Sequence, residues 1–168
     1  MDTLHRFWNQ PSTRYRNFQI IFTLLTLNFL IPSISYAIRP EVVAAGFADL
    51  NATLGGLPQA FPEEQSRFWR YLGSANVMTL ALMCALLQLD LRRFFPVLLP
   101  LMFLKGYNAS LFLFGFLADH TYPALLFTFF WDGLAVFLFW FFASRAMADI
   151  GGRPPAELVP RPLGTPAP

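Results

Sequence analysis

Lysine is almost absent from this chain of 168 residues. Twelve residues are lysine or arginine, and only Lys105 is lysine, so eleven are arginine. Charge of either sign is scarce, at 13% of residues, about half the share usual for a soluble domain. Cysteine occurs once, as Cys84, which excludes an intrachain disulfide, a CxxC redox pair and a cysteine zinc cluster. It falls in an apolar segment and reads as a small packing residue. HExxH, P-loop, GxGxxG and serine-elbow patterns are all missing. The net charge of +2 comes with no basic stripe or recognition motif, so nucleic acid is not an expected partner.

What the chain has instead is apolar length. It is 55% hydrophobic, with twenty phenylalanines. The apolar residues form runs of about twenty rather than an amphipathic period, and about twenty helical residues cross a bilayer's hydrocarbon. The expected fold class is an all-α integral membrane protein, a four-transmembrane-helix bundle with residues 18–146 as its membrane domain. The spans are placed at 18–37, 71–89, 94–118 and 121–143, with an outer-face loop at 38–70. Residues 1–17 form an N-terminal segment, and 147–168 a Pro-rich tail. The first run is longer than the apolar core of a signal peptide and is expected to be retained as a span.

Arginine sets the orientation. Arg6, Arg14, Arg16, Arg92, Arg93, Arg145, Arg153 and Arg161 fall on the side of the termini. Arg39, Arg67 and Arg70 fall opposite, beside Glu41, Asp49, Glu63, Glu64 and Asp119. The positive-inside rule then puts both termini in the cytoplasm, and the expected location is a bacterial inner membrane. In the outer loop, Pro40 opens a helical piece that breaks at Gly55-Gly56 and Pro58, and "PEEQSRFW" restarts a helix. Asn51-Ala52-Thr53 matches a glycosylation sequon, a triplet common by chance, and carries no weight here.

Lys105 lies eleven residues past Phe94, roughly 16 Å along a helix, and Asp132 ten past Tyr122, roughly 15 Å. The turn between the two spans is short, so the helices are neighbours and both charges fall near mid-membrane. Each alone would cost about 2.5–3.5 kcal/mol on insertion scales. An intramembrane Lys105–Asp132 pair is therefore expected. Pairing rarely beats apolar packing in stability, so the pair speaks for specificity or function.

Polar neighbours extend the patch. Asn108 is one turn from Lys105, and Thr128 one turn from Asp132. Gly106 and Ser110 make a small-xxx-small step, and Pro100 is expected to kink the third span. In the first span Gln19, Thr23 and Thr26 share a face, and Asn28 loses its backbone partner to Pro32. Ser74, Ala81, Ala85 and Gln88 form a stripe on the second. Asp119 and His120, in the outer turn, could bind a metal weakly or shuttle protons. His5 and His120 fall on opposite sides, so they cannot jointly hold a haem or metal ion. No metal site, cofactor or catalytic set is expected.

The layout of "RFWRYLGSANVM" opening the second span, a short basic turn, "LKGYNAS" in the third and "WDGLAVF" in the fourth resembles the small bacterial four-helix membrane proteins grouped as DoxX-like. The resemblance covers roughly residues 67–146 and implies a four-helix membrane fold. Families of this kind are mostly without assigned biochemistry, so no catalytic residue carries over. The expected function is a non-enzymatic accessory or scaffold subunit, in contact with the lipid bilayer and with other membrane subunits or copies of itself. A small proton-coupled transporter using Lys105 and Asp132 is the alternative, and a membrane enzyme acting on a lipid or isoprenoid the second alternative.

Overall fold

A computed structural model describes residues 12–57 and 67–151. Those residues are all-helical, and four of the helices are long and apolar enough to cross a membrane, as in a multi-pass membrane protein.

Helix α1, Thr13–Ile38, starts five residues before the expected boundary because Ser12 caps it. The Ser12 backbone is extended, and its hydroxyl accepts from the Tyr15 amide at 3.2 Å, satisfying one of the orphan donors of the first turn. Pro32 lies inside α1 without ending it. Arg39 breaks the chain direction, and Pro40 starts α2, Pro40–Thr53, at the position where a missing N–H costs nothing. Gly55 ends this helix with φ of +82°, a conformation glycine adopts freely. The restart expected at "PEEQSRFW" lies largely outside the described residues; helix α3 is described over Arg67–Leu89.

The third span is not one helix. Asp90 accepts from the Arg93 amide at 3.1 Å and caps a single turn, α4, Leu91–Phe94. A 3-10 turn at Phe95–Val97 carries Pro96, and α5 then runs over Leu98–Ala118. The irregularity expected at Pro100 thus falls earlier, at Pro96. Pro100 itself sits in the first turn of α5, where the helix has no i−4 bond to lose. Helix α6, Pro123–Gly151, runs eight residues beyond Ala143 and takes in the start of the expected tail; at 29 residues it is roughly 43 Å long.

The helices pack in the order α3, α1, α6, α5, with α1 and α6 in the middle. Each long helix supplies a stripe with steps of three or four residues. The α1 stripe is Tyr15, Phe18, Phe22, Leu25, Phe29 and Ser33, and that of α6 is Asp132, Ala135, Phe139, Ala143, Ala146 and Ile150. The alanines let α1 approach closely enough for Phe139 to meet Phe22 and Phe29 at ring separations of 5.9 and 6.1 Å.

The outer surface is as apolar as the core. Leu99, Phe103, Phe114 and Phe130 are each more than 60% exposed, a surface suited to lipid rather than water. Burial is lopsided along the bundle. The core gathers toward the end that carries residues 12 and 151, whereas no residue in 70–79 of α3 or 110–118 of α5 is buried.

Candidate functional site

The α5 stripe, Leu98, Leu101, Lys105 and Ala109, places the lysine where a core side chain belongs. Asp132 heads the α6 stripe and is 2% exposed. Lys105 Nζ donates to Asp132 Oδ1 at 2.6 Å. The positions 105 and 132 are symmetric about the Ala118–Asp119 junction, so an antiparallel hairpin with a short turn brings them to one level.

The ammonium has a second neighbour. Its nitrogen lies 4.9 Å from the centre of the Phe29 ring, so α1 offers its negative ring face to the charge that Asp132 also binds. Lys105 therefore sits where α1, α5 and α6 meet. Cys84 of α3 is wholly buried. The carboxylate is less well provided for: Asp132 Oδ2 is buried and meets no hydrogen-bond donor among the described residues.

The other polar residues named from sequence do not join this centre. Asn108 and Asn28 are half-buried and find no hydrogen-bond partner among the described residues. Thr128 donates back to the Ala124 carbonyl at 2.8 Å, and exposed Ser110 to that of Gly106 at 2.9 Å. Both are the local back-bonds that Ser and Thr make inside helices. Asp119 turns its carboxylate into its own turn, accepting from the Thr121 hydroxyl at 2.6 Å and the Thr121 amide at 3.0 Å. These bonds, the hydroxyl's first, hold its carboxyl below the usual carboxylate range. The His120 ring lies against Phe116 with ring centres 5.1 Å apart. Among the described residues no three His, Cys, Asp or Glu side chains gather as a metal site requires; His5 lies outside those residues.

Two polar layers join α1 to α3. Gln88 is the hub of the first: its Nε2 donates to Thr26 Oγ1 at 2.9 Å and to the Cys84 carbonyl at 3.1 Å, and its Oε1 accepts from Thr23 at 2.7 Å. Gln19 Nε2 donates to the Gln88 carbonyl at 3.1 Å, leaving Gln19 Oε1 buried without a donor. In the second layer Ser33 and Ser74 each donate to the other's backbone carbonyl, at 2.8 and 2.9 Å. The separate stripes were visible in the sequence; that they face each other was not.

Two contacts had no sequence signal as sites. Phe29 is one aromatic among many. Asn51 is 2% exposed; it donates to the Leu57 carbonyl at 3.1 Å and accepts from the Ala124 amide at 3.3 Å, capping α6 from α2. Gly56 is required beside it, because a Cβ there would stand 2.4 Å from Asn51 Nδ2.

Fold and site together define a class: a small multi-pass helical protein whose buried charge pair joins three of its four long helices. Compared with family models, with characterised proteins and with solved structures, the chain matches none.

Proposed function

We propose that the chain is a non-enzymatic accessory or scaffold subunit of a bacterial inner-membrane assembly, with both termini cytoplasmic and the Lys105–Asp132 pair fixing helix register within the membrane. The observation that carries this reading is the engagement of the centre with itself: the only lysine bonds an aspartate and an aromatic face inside the bundle. The continuous apolar exterior of α5 and α6 supplies surface for lipid and for neighbouring subunits. The DoxX-like layout of residues 67–146 fits the same reading. Gentle solubilisation of native membranes tests it. A stoichiometric membrane partner should co-purify with the tagged chain, and recovery only as a monomer or homo-oligomer counts against the subunit role.

A small proton-coupled carrier is the second reading, favoured by one observation, the buried Asp132 Oδ2 without a donor. It requires that Asp132→Asn abolish flux in proteoliposomes while the bundle still folds; unchanged flux excludes it.

A further inference from the structure

We propose that Arg93 and Arg145, at the end of the bundle that carries residues 12 and 151, bind the phosphate of an anionic phospholipid whose acyl chains lie along the apolar exterior of α5 and α6. The inference rests on the membrane-spanning arrangement and not on the subunit role.

Charge is divided unevenly between the two ends. Among the described residues, Arg14, Arg16, Arg92, Arg93 and Arg145 stand at this end against Asp90 and Asp149. At the other end Arg39, Arg67 and Arg70 are matched by Glu41, Asp49 and Asp119. Two arginines of the richer end are used within the bundle: Arg14 pairs with Asp149 at 3.7 Å, and Arg92 donates to the Ile150 carbonyl. Arg93 and Arg145 are exposed, and neither guanidinium bonds a carboxylate or a carbonyl among the described residues. Asp90, near Arg93 in sequence, accepts from its backbone amide instead. Each guanidinium lies over a ring of its own helix, Arg145 Cζ at 4.1 Å from the centre of Phe141 and Arg93 Cζ at 5.4 Å from that of Phe94. Contact with a ring holds a guanidinium without consuming its N–H donors, which remain in the fork that matches a phosphate.

Depth points to a lipid rather than to a soluble acidic partner. Arg145 lies thirteen residues past Asp132 on α6, roughly 20 Å, and Arg93 precedes Lys105 by twelve, roughly 18 Å. With the charge pair at mid-membrane, both arginines stand beyond the hydrocarbon half-thickness of about 15 Å and within the headgroup layer, which ends about 20–22 Å out. The α4 turn packs against α6, so the two levels coincide on adjacent elements. Inward of them Leu99 and Phe103 of α5 and Phe137 and Trp140 of α6 are all more than half exposed, an apolar surface that takes acyl chains. A lipid with a net negative headgroup satisfies both parts of this surface. A zwitterionic lipid brings its own cation to compete with the arginines, and inorganic phosphate leaves the apolar part uncovered.

The test is quenching of Trp140 fluorescence by lipids brominated on their acyl chains, in the full-length protein with Trp8, Trp69 and Trp131 replaced by Phe. Trp140 lies five residues inward of Arg145, roughly 8 Å. In phosphatidylcholine–phosphatidylglycerol vesicles the relative association constant at this position should favour phosphatidylglycerol by about tenfold. Arg93→Gln and Arg145→Gln should each lower that preference about threefold, and together bring it near parity. Arg39→Gln, at the other end and paired with Glu41, should leave it unchanged. Quenching by brominated phosphatidylcholine as in the parent protein identifies the variants that are correctly inserted. Equal association of the two lipids in the parent protein overturns the site without recourse to any charge variant. So does an equal loss in Arg39→Gln, which would mean a diffuse effect of net charge. Displacement of phosphatidylglycerol by millimolar inorganic phosphate overturns the lipid assignment in favour of a free anion. A stoichiometric membrane partner without lipid preference would leave the subunit reading standing and sink this one, and an isolated homo-oligomer with the preference would do the reverse.

Discussion

Removing one charge of the centre at a time separates what the pair costs from what it specifies. Consider Lys105→Met and Asp132→Leu, each close in volume to the original, and their combination. Lys105→Met leaves a carboxylate that is 2% exposed, with both oxygens now without a donor. Breaking a buried ion pair in this way costs about 3–5 kcal/mol. Asp132→Leu leaves the ammonium over the Phe29 ring, 4.9 Å from its centre, and that contact alone offsets about 0.5–2 kcal/mol. The lysine variant should therefore be the less stable of the two, by about 1 kcal/mol. The double variant has no unpaired charge, and apolar replacement of buried pairs is often neutral. It should fall within about 1 kcal/mol of wild type, giving a coupling energy of about 6 kcal/mol between the two sites.

Reversible unfolding in mixed micelles gives these values. Trp131, adjacent to Asp132 and half-exposed, reports the transition by fluorescence. Additive losses in the double variant would refute the reasoning, because they would mean that each charge is stabilised by something other than its partner. A reversed order of the single variants would remove Phe29 from the account.

Four further outcomes follow from single contacts. Phe29→Leu should weaken the bundle by about 1–2 kcal/mol, and roughly half of that should vanish in a Lys105→Met background, read by the same unfolding cycle. Gln88→Leu removes the side-chain bonds to Thr23, Thr26 and the Cys84 carbonyl, leaves the Gln19 bond to the backbone carbonyl of residue 88, and should cost about 1–3 kcal/mol, whereas Thr79→Val, whose exposed hydroxyl bonds only its own helix, should be near neutral in melting experiments. Asn51→Ala uncaps α6 and frees the Leu57 carbonyl; a loss of about 1 kcal/mol, with faster amide exchange at Ala124, should follow. Thr121→Val should return the Asp119 carboxyl toward its ordinary titration range in an NMR pH series, since the hydroxyl bond is the main cause of its lowering. Because that carboxyl is lowered in the folded protein, its stabilising effect is present above the ordinary carboxylate range and is lost as pH falls through the lowered value.

The four long helices were legible because hydrocarbon imposes a length that no other feature of the chain overrides. Their ends were less so. Ser12 and the turn at 119–122 shift the boundaries through capping bonds, and the third span breaks at Pro96 because Asp90 first caps a separate turn. The approach of Lys105 to Asp132 follows from depth and a short connection, both readable in one dimension. The place of Phe29 does not, since it depends on how α1 is rotated against α5, and nearly every turn of the chain offers an aromatic. For the same reason Asn108 and Thr128, one turn from each charge, looked like members of the site. One turn along a helix brings a residue to the same face but not to the same partner. Thr128 instead bonds its own backbone, and Asn108 bonds nothing described.

The connections clarify what the charge pair can specify. A turn of four residues at 119–122 already makes α5 and α6 neighbours, so the pair is not needed to select partners. It sets rotation. Turning Lys105 inward fixes which side of α5 carries Phe103, Tyr107 and Phe114 outward, and turning Asp132 inward does the same for Phe127, Phe130 and Trp131 of α6. In lipid a helix with apolar residues on all sides gains little from choosing one face over another, because hydrocarbon and leucine are equally good neighbours. One buried charge on each helix removes that degeneracy. Between the α1–α3 half and the α5–α6 half, aromatic contacts around Phe139 and Phe29 bridge the middle, while Ser12 on Asp149, Arg92 on the Ile150 carbonyl and Asn51 on the Ala124 amide tie the ends. The middle is thus the one level at which a change of charge could alter the packing of the halves without releasing either end, and that level is where Lys105 and Asp132 stand.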